Sequence, residues 1–172
     1  MLSSERFIAK ENEMGVSLDN DAYVDIFRMA LKHIPTSGSL IDLGCGVGGM
    51  LKAAKESGFS VVGYDLFHKG GDIINDDFLN RTITSNVVSI IEVAEHIETK
   101  RFEHWIKTSL HCEYLLFSST STHNDKGIPD EDWGHINIQS QQYWVDLMKD
   151  AGYTLVKELE HPTEWTKLFK ST

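Results

Sequence analysis

Cysteine is scarce in this chain. There are two, Cys45 and Cys112, in 172 residues. One sits in a glycine-rich turn and one near a strand start, which makes no disulfide framework, so a reducing, cytoplasmic setting is the simple expectation. Long apolar runs are missing too. No stretch approaches the roughly 18 residues that span a bilayer, so no membrane partner is expected. The first residues, MLSSERFIAKENEMG, are charged and do not read as a signal peptide. Positive charge is in short supply: 16 Lys and Arg stand against 26 Asp and Glu, a formal net charge of −10. No basic stretch is longer than Thr99–Arg101, and an acidic chain exerts no general pull on a phosphate backbone, so nucleic acid is disfavoured as a partner. Internal repeats, low-complexity tracts and a second domain are also absent.

What remains is a globular balance, 41% hydrophobic and 24% charged, at the size of one ordinary domain. Residues 1–17 show no strong period and read as an arm or lid. From Asp19 the apolar residues Tyr23, Ile26, Phe27, Ala30, Leu31 and Ile34 recur at helical spacing until Pro35. Buried strands are expected at 39–44, 60–65, 72–76, 86–93 and 113–120. Helices are expected at 48–57, 99–111 and 140–152. Gly58 and Gly152 close two of them, and Ser140 is the N-cap of the last. A polar loop fills 121–138, and YTLVKELE and EWTKLFK read as antiparallel closing strands. Strands alternating with helices predict an α/β fold, a doubly wound and mostly parallel sheet with ligands at the carboxyl ends of its strands.

The first strand runs into Asp42-Leu-Gly-Cys-Gly-Val-Gly-Gly49. Gly44, Gly46 and Gly49 fit the G-x-G-x-x-G spacing of dinucleotide folds, while Gly44, Gly46 and Gly48 fit D-x-G-x-G-x-G with Asp42 two residues ahead. The spacings differ in the chemistry they give Asp42. A carboxylate there would repel a pyrophosphate and attract the ammonium group of an amino-acid sulfonium. IDLGCGVGGML resembles motif I of class I S-adenosylmethionine-dependent methyltransferases, and the likeness runs from about Asp19 to the end. It implies a Rossmann-like, seven-stranded sheet with the last strand antiparallel. It implies S-adenosyl-L-methionine as cofactor, with its methionine part cradled at Gly44, Cys45 and Gly46 near Asp42. Asp65, ending VVGYD, matches the acid that binds the ribose hydroxyls, and a carboxylate can accept two hydroxyl protons. Leu66 or Phe67 would lie against the adenine, and Asp77 (or Asp76) with Phe78 would read its amino group and face.

The fourth strand ends in IIEVAEHIE. On a helical turn Glu92, Glu95 and His96, at i, i+3 and i+4, share a face. Carboxylates with an imidazole suit Mg²⁺, Mn²⁺ or Zn²⁺. His135 follows in a loop at the same sheet edge. Glu92, Glu95, His96 and His135 match by position the metal site of small-RNA 3′-terminal 2′-O-methyltransferases, and ubiquinone-pathway O-methyltransferases show a similar E-x-x-E-H turn. The other reading has Glu95 and His96 capping the next helix, Glu92 orienting a cofactor or substrate amine, and His96 or His135 serving as general base. His123 and Trp133 are further loop candidates for the acceptor site. His33, His68, His104, His111 and His161 read as ordinary surface or helix-end residues, and Trp105, Trp144 and Trp165 as core.

WGHINIQSQQYWVDLMKDAGY also resembles small bacterial and viral methyltransferases linked to sugar or surface-polysaccharide modification. The expected function is therefore O-methylation of a small hydroxylated acceptor such as a sugar or glycan, metal-assisted or not. The alternatives are an RNA-end 2′-O-methyltransferase and a non-catalytic cofactor-binding subunit of a heteromeric enzyme. The acceptor would be covered by residues 1–18, the 121–138 loop or a partner subunit, a homodimer being the simplest case.

Overall fold

The computed structural model describes residues 4–13, 15, 23–120, 134–160 and 165–172. Seven strands build one sheet: β1 (Gly38–Leu43), β2 (Phe59–Asp65), β3 (Ile73–Asn75), β4 (Ile83–Ile91), β5 (Leu110–Ser118), β6 (Tyr153–Leu159) and β7 (Thr166–Ser171). Their order is β3-β2-β1-β4-β5-β7-β6. The pairs among β1 to β5 are parallel, whereas β7 runs antiparallel to both β5 and β6. The expected sheet, with its last strand antiparallel, is the one observed.

The helices are α1 (Ser4–Glu13), α2 (Val24–Ala30), α3 (Gly49–Glu56), α4 (Thr99–Thr108) and α5 (Gln141–Asp150). The sheet separates two apolar layers. Ile26 and Phe27 of α2 and Leu51 and Ala54 of α3 pack with Leu40, Val87 and Leu116 on one face. Phe102, Trp105 and Ile106 of α4 and Trp144, Leu147 and Met148 of α5 pack with Val88, Ile90, Leu115 and Phe117 on the other. Neighbouring strand residues therefore alternate between layers, as Leu115, Leu116 and Phe117 do, because strand side chains point alternately to opposite faces. Both faces are covered, so β4 and β5 read as nearly continuous apolar runs. Burying one such side chain contributes about 1.5–3 kcal/mol.

Two expectations change in detail. Residues 1–17, which lack an apolar stripe, include the ten-residue helix α1. Its Ala, Lys and Glu residues favour helix by intrinsic propensity rather than by pattern. The cap of α4 also differs. Neither Glu95 nor His96 caps it: Glu98 does, its carboxylate accepting from the Lys100 and Arg101 amides at 3.2 and 2.7 Å. Ser140 does cap α5, accepting from the Tyr143 amide at 3.2 Å. No helix among the described residues is long and apolar enough to cross a membrane. Strand order reverses between β1 and β4, so a crevice opens beyond their carboxyl ends.

Candidate active site

The turn after β1 is built for close approach. Gly44, Gly46 and Gly48 have positive φ values of 75°, 52° and 87°, and Gly49 does not. The backbone thus follows the D-x-G-x-G-x-G spacing. A side chain at Gly44 would also drive its Cβ into Val93. Asp42 is buried behind this turn, where it accepts from the Ser89 hydroxyl at 2.6 Å. Cys45 is buried as well. Burial first, then the charges of Asp42 and Asp65, push its thiol far above the usual range, so it is an inert packing residue.

Asp65 ties the turn to the end of β2. Its Oδ2 accepts from the Gly46 amide at 2.9 Å. Its Oδ1 accepts from the Phe67 and His68 amides at 2.7 and 2.9 Å and lies 3.2 Å from His68 Nδ1. Oδ1 is saturated, and lone-pair capacity remains on Oδ2. His68 is therefore not an ordinary surface histidine: its side chain is 16% exposed and sits against the expected ribose acid.

A cavity of about 270 Å³ opens here, with Gly44, Asp65, Leu66, Asp77 and Phe78 among its lining residues and Glu92, His96, Gly134 and Ile136 at its other end. Most of the expected cofactor residues are thus brought together, while Asp42, Cys45 and Gly46 are not among the lining residues. Asp77 is held from two sides. Its Oδ1 accepts from the Leu79 amide at 3.0 Å and its Oδ2 from Arg101 at 2.7 Å. Asp76 instead pairs with Arg81, which holds its carboxyl below the usual range.

The E-x-x-E-H segment departs from a regular helix. Glu92 has φ +54°, a left-handed conformation rare for a side-chain-bearing residue. Ala94–His96 then form one 3₁₀ turn. Glu92 is held at the end of β5, where its carboxylate accepts from Ser118 Oγ at 2.7 Å and Thr120 Oγ1 at 2.9 Å. Glu95 is buried and accepts from Ser119 Oγ at 3.0 Å. Burial pushes its carboxyl up, with hydrogen bonds from its own turn, Ser119 and Glu92 pulling the other way. Burial pushes the His96 imidazole down, so it stays neutral near pH 7. A hydrogen bond from its Nδ1 to the Gly134 carbonyl, at 3.3 Å, leaves a lone pair on Nε2.

His135 arrives beside this turn. The Ile136 and Asn137 amides donate to the Glu95 carbonyl at 2.8 and 3.0 Å. The Asn137 side chain donates to the Ala94 carbonyl at 3.1 Å and accepts from Thr99 at 2.8 Å. The His96 and His135 rings meet edge to face, with centroids 4.9 Å apart. One ligand atom each from Glu95, His96 and His135 lies within 4.8 Å of the other two. Glu92 is not a member of this group. Three of the four expected ligands therefore converge, while Glu92 stays on the cavity wall, held by Ser118 and Thr120. Ser118, Ser119, Thr120 and Asn137 gave no sign in the sequence beyond a polar strand end and a loop. His123 and Trp133 lie outside the described residues.

Strand order 3-2-1-4-5-7-6, a glycine turn at the switch point and an acid ending β2 define a Rossmann-like methyltransferase fold. The family described as methyltransferase domain matches residues 19–158, and the chain belongs to that family. Solved structures agree at the level of fold. A 1,6-didemethyltoxoflavin-N1-methyltransferase from Burkholderia thailandensis superposes with a TM-score of 0.74 at 11% identity, over 98% of this chain and 87% of that one. A SAM-dependent methyltransferase from Archaeoglobus fulgidus gives 0.69 at 18% identity, over 92% and 81%. CalO1, a methyltransferase of calicheamicin biosynthesis, gives 0.60 at 14% identity over 87% of this chain. The chain spans about half of CalO1, 54% of its length. No curated protein sequence matches significantly. The resemblance to class I S-adenosylmethionine-dependent methyltransferases holds for fold and family.

Proposed function

We propose that this chain is an S-adenosylmethionine-dependent methyltransferase acting on a hydroxyl of a small hydroxylated acceptor such as a sugar or glycan. The carrying observation is the convergence of Glu95, His96 and His135 within 4.8 Å, with His96 on the wall of the cavity that Asp65, Asp77 and Phe78 also line. When bound, the cofactor supplies an electrophilic methyl group on a sulfonium. Asp65 Oδ2 would take a ribose hydroxyl, Leu66 and Phe78 would flank the adenine, and the glycine turn would receive the methionine portion. Held this way, the methyl group would face the His96 end of the cavity, where orientation itself would accelerate displacement.

The same three residues fit a divalent cation. Ligand atoms at about 2.1 Å from one ion lie roughly 3.4 Å apart in a tetrahedron, so the group closes with small side-chain movements. One carboxylate and two imidazoles suit Zn²⁺ or Mn²⁺ better than Mg²⁺, which prefers oxygen. Such an ion would acidify an acceptor hydroxyl held beside it. His96 is neutral with Nε2 available, and a cation is what would keep the buried Glu95 carboxyl charged. Without an ion, neutral His96 or His135 is the general base for that hydroxyl.

Calorimetry with S-adenosylmethionine, followed by mass spectrometry of sugar acceptors, tests the assignment. Binding with turnover is the expected result, and binding with no turnover would leave a cofactor-binding subunit. Chelator should abolish turnover and Zn²⁺ or Mn²⁺ restore it. Activity indifferent to chelator removes the ion, and activity intact in both Glu95→Ala and His135→Ala removes the whole site.

A further inference from the structure

A second cavity, about 520 Å³, opens at the same sheet edge, and Gln141, Glu158, Glu160, Trp165 and Lys167 are among its lining residues. Lys167 is unusual. Its side chain is 7% exposed, yet it carries a cation. Lysines are seldom so buried unless well paired, because an ammonium loses much hydration there. Its partners are modest. Nζ lies 2.8 Å from Glu158 Oε1 and 3.3 Å from Gln141 Oε1. The Glu158 side chain is 69% exposed, so it reaches in from solvent and can leave. Lys167 Nζ lies 5.2 Å from the centroid of the Trp165 ring. Trp165 is 5% exposed, and its indole N–H is buried with no hydrogen-bond partner among the described residues. A buried cation and an unsatisfied donor thus stand together, with a solvent-exposed carboxylate on one of them.

Register places this pair beside the reaction site. Lys167 pairs with Phe117 on β5. Two residues on, Ser119 holds Glu95. Strand geometry puts the Lys167 and Ser119 Cα atoms roughly 8 Å apart. Gln141 begins the helix that follows the His135 segment.

We propose that this cavity is an anion subsite for the acceptor: a carboxylate of the acceptor docks on the Lys167 ammonium and the Trp165 indole N–H and displaces Glu158. This rests on the small-acceptor reading and narrows it to acidic sugars. A monoanion fits better than a phosphate, because Glu158 and Glu160 beside the cavity repel a dianion more strongly.

Proton–nitrogen spectra of the protein without methyl donor test it, following the Trp165 indole resonance, assigned with Trp165→Phe. D-glucuronate and acetate should shift that resonance, and D-glucose should not. Lys167→Met should abolish the response and Lys167→Arg retain it. Glu158→Gln should tighten glucuronate binding about threefold to fivefold, the size of one exposed ion pair, and it carries the test if Lys167→Met does not fold. No shift with either anion, an equal shift with glucose, or a response that survives Lys167→Met would overturn the subsite. A shift with no methyl transfer to any acceptor would sink the proposed reaction and leave the subsite standing. Turnover of glucuronate with an unchanged KM in Lys167→Met would sink the subsite alone.

Discussion

Ser118 and Glu92 are joined in both directions. The Ser118 hydroxyl accepts from the Glu92 amide at 3.2 Å and donates to the Glu92 carboxylate at 2.7 Å. The Ser118 carbonyl also accepts from the same amide at 3.3 Å. This closed pair holds Glu92 at φ +54°, a conformation that costs a residue with a side chain about 1–3 kcal/mol.

Glu92→Gly separates the strain from the function. Glycine adopts the left-handed backbone freely, which offsets the lost side-chain hydrogen bonds. The expected outcome is a stability within about 1 kcal/mol of wild type by urea denaturation, with methyl transfer reduced at least tenfold. A large loss of stability would show that Glu92 serves the fold rather than the site.

Asp65→Ala removes the carboxylate that anchors the Gly46, Phe67 and His68 amides. Hydrogen bonds to a charged group are worth about 1.5–3 kcal/mol each. Calorimetry should show S-adenosylmethionine affinity falling at least tenfold, with Asp65→Asn intermediate. Unchanged affinity in Asp65→Ala would remove it from the cofactor site.

Gly44→Ala combines an unfavourable backbone, φ +75°, with a collision against Val93. A destabilisation of about 2–4 kcal/mol is expected. Gly44→Ala with Val93→Ala should recover part of it, by thermal unfolding. No recovery in the double variant would assign the whole effect to the backbone.

Much of this was legible beforehand, and the exceptions share one cause. The alternation in β4 and β5, the apolar faces of α4 and α5 and the Ser140 cap are local patterns, and local patterns survive folding. Glu92 stands apart from the Glu95, His96 and His135 group because its i, i+3, i+4 spacing shares a face only on a regular helix, and a left-handed residue breaks that face. The hydroxyls of Ser118, Ser119 and Thr120 find their carboxylates across neighbouring strands, a pairing that spacing along the chain does not encode. His68 lies against Asp65 because the turn after β2 folds it back on that carboxylate. Asp42, placed near the cofactor by resemblance, is taken up by Ser89, its register partner on β4.

Glu95 should also leave a signature in the pH dependence of stability. Burial raises its carboxyl above the ordinary 4.5, so the folded protein retains a proton that the unfolded chain releases. Its contribution is fully present below the ordinary value and is lost as pH rises to the folded one. In metal-free buffer, Tm should fall more for wild type than for Glu95→Gln as pH rises above the ordinary carboxylate range. The His96 shift acts in the opposite direction and is common to both proteins. Equal falls would mean that Glu95 is ionised in the fold.

Thr120, just past the end of β5, and the Ile136–Asn137 pair are fastened to the same turn. Thr120 is fastened to the Glu92 carboxylate, and Ile136 and Asn137 to the Glu95 carbonyl. The end of β5 and the segment carrying His135 are therefore positioned by one short turn, each through its own glutamate. A substitution that shifts that turn would move both neighbours at once, so the 3₁₀ turn is the joint on which the two sides of the crevice hinge together.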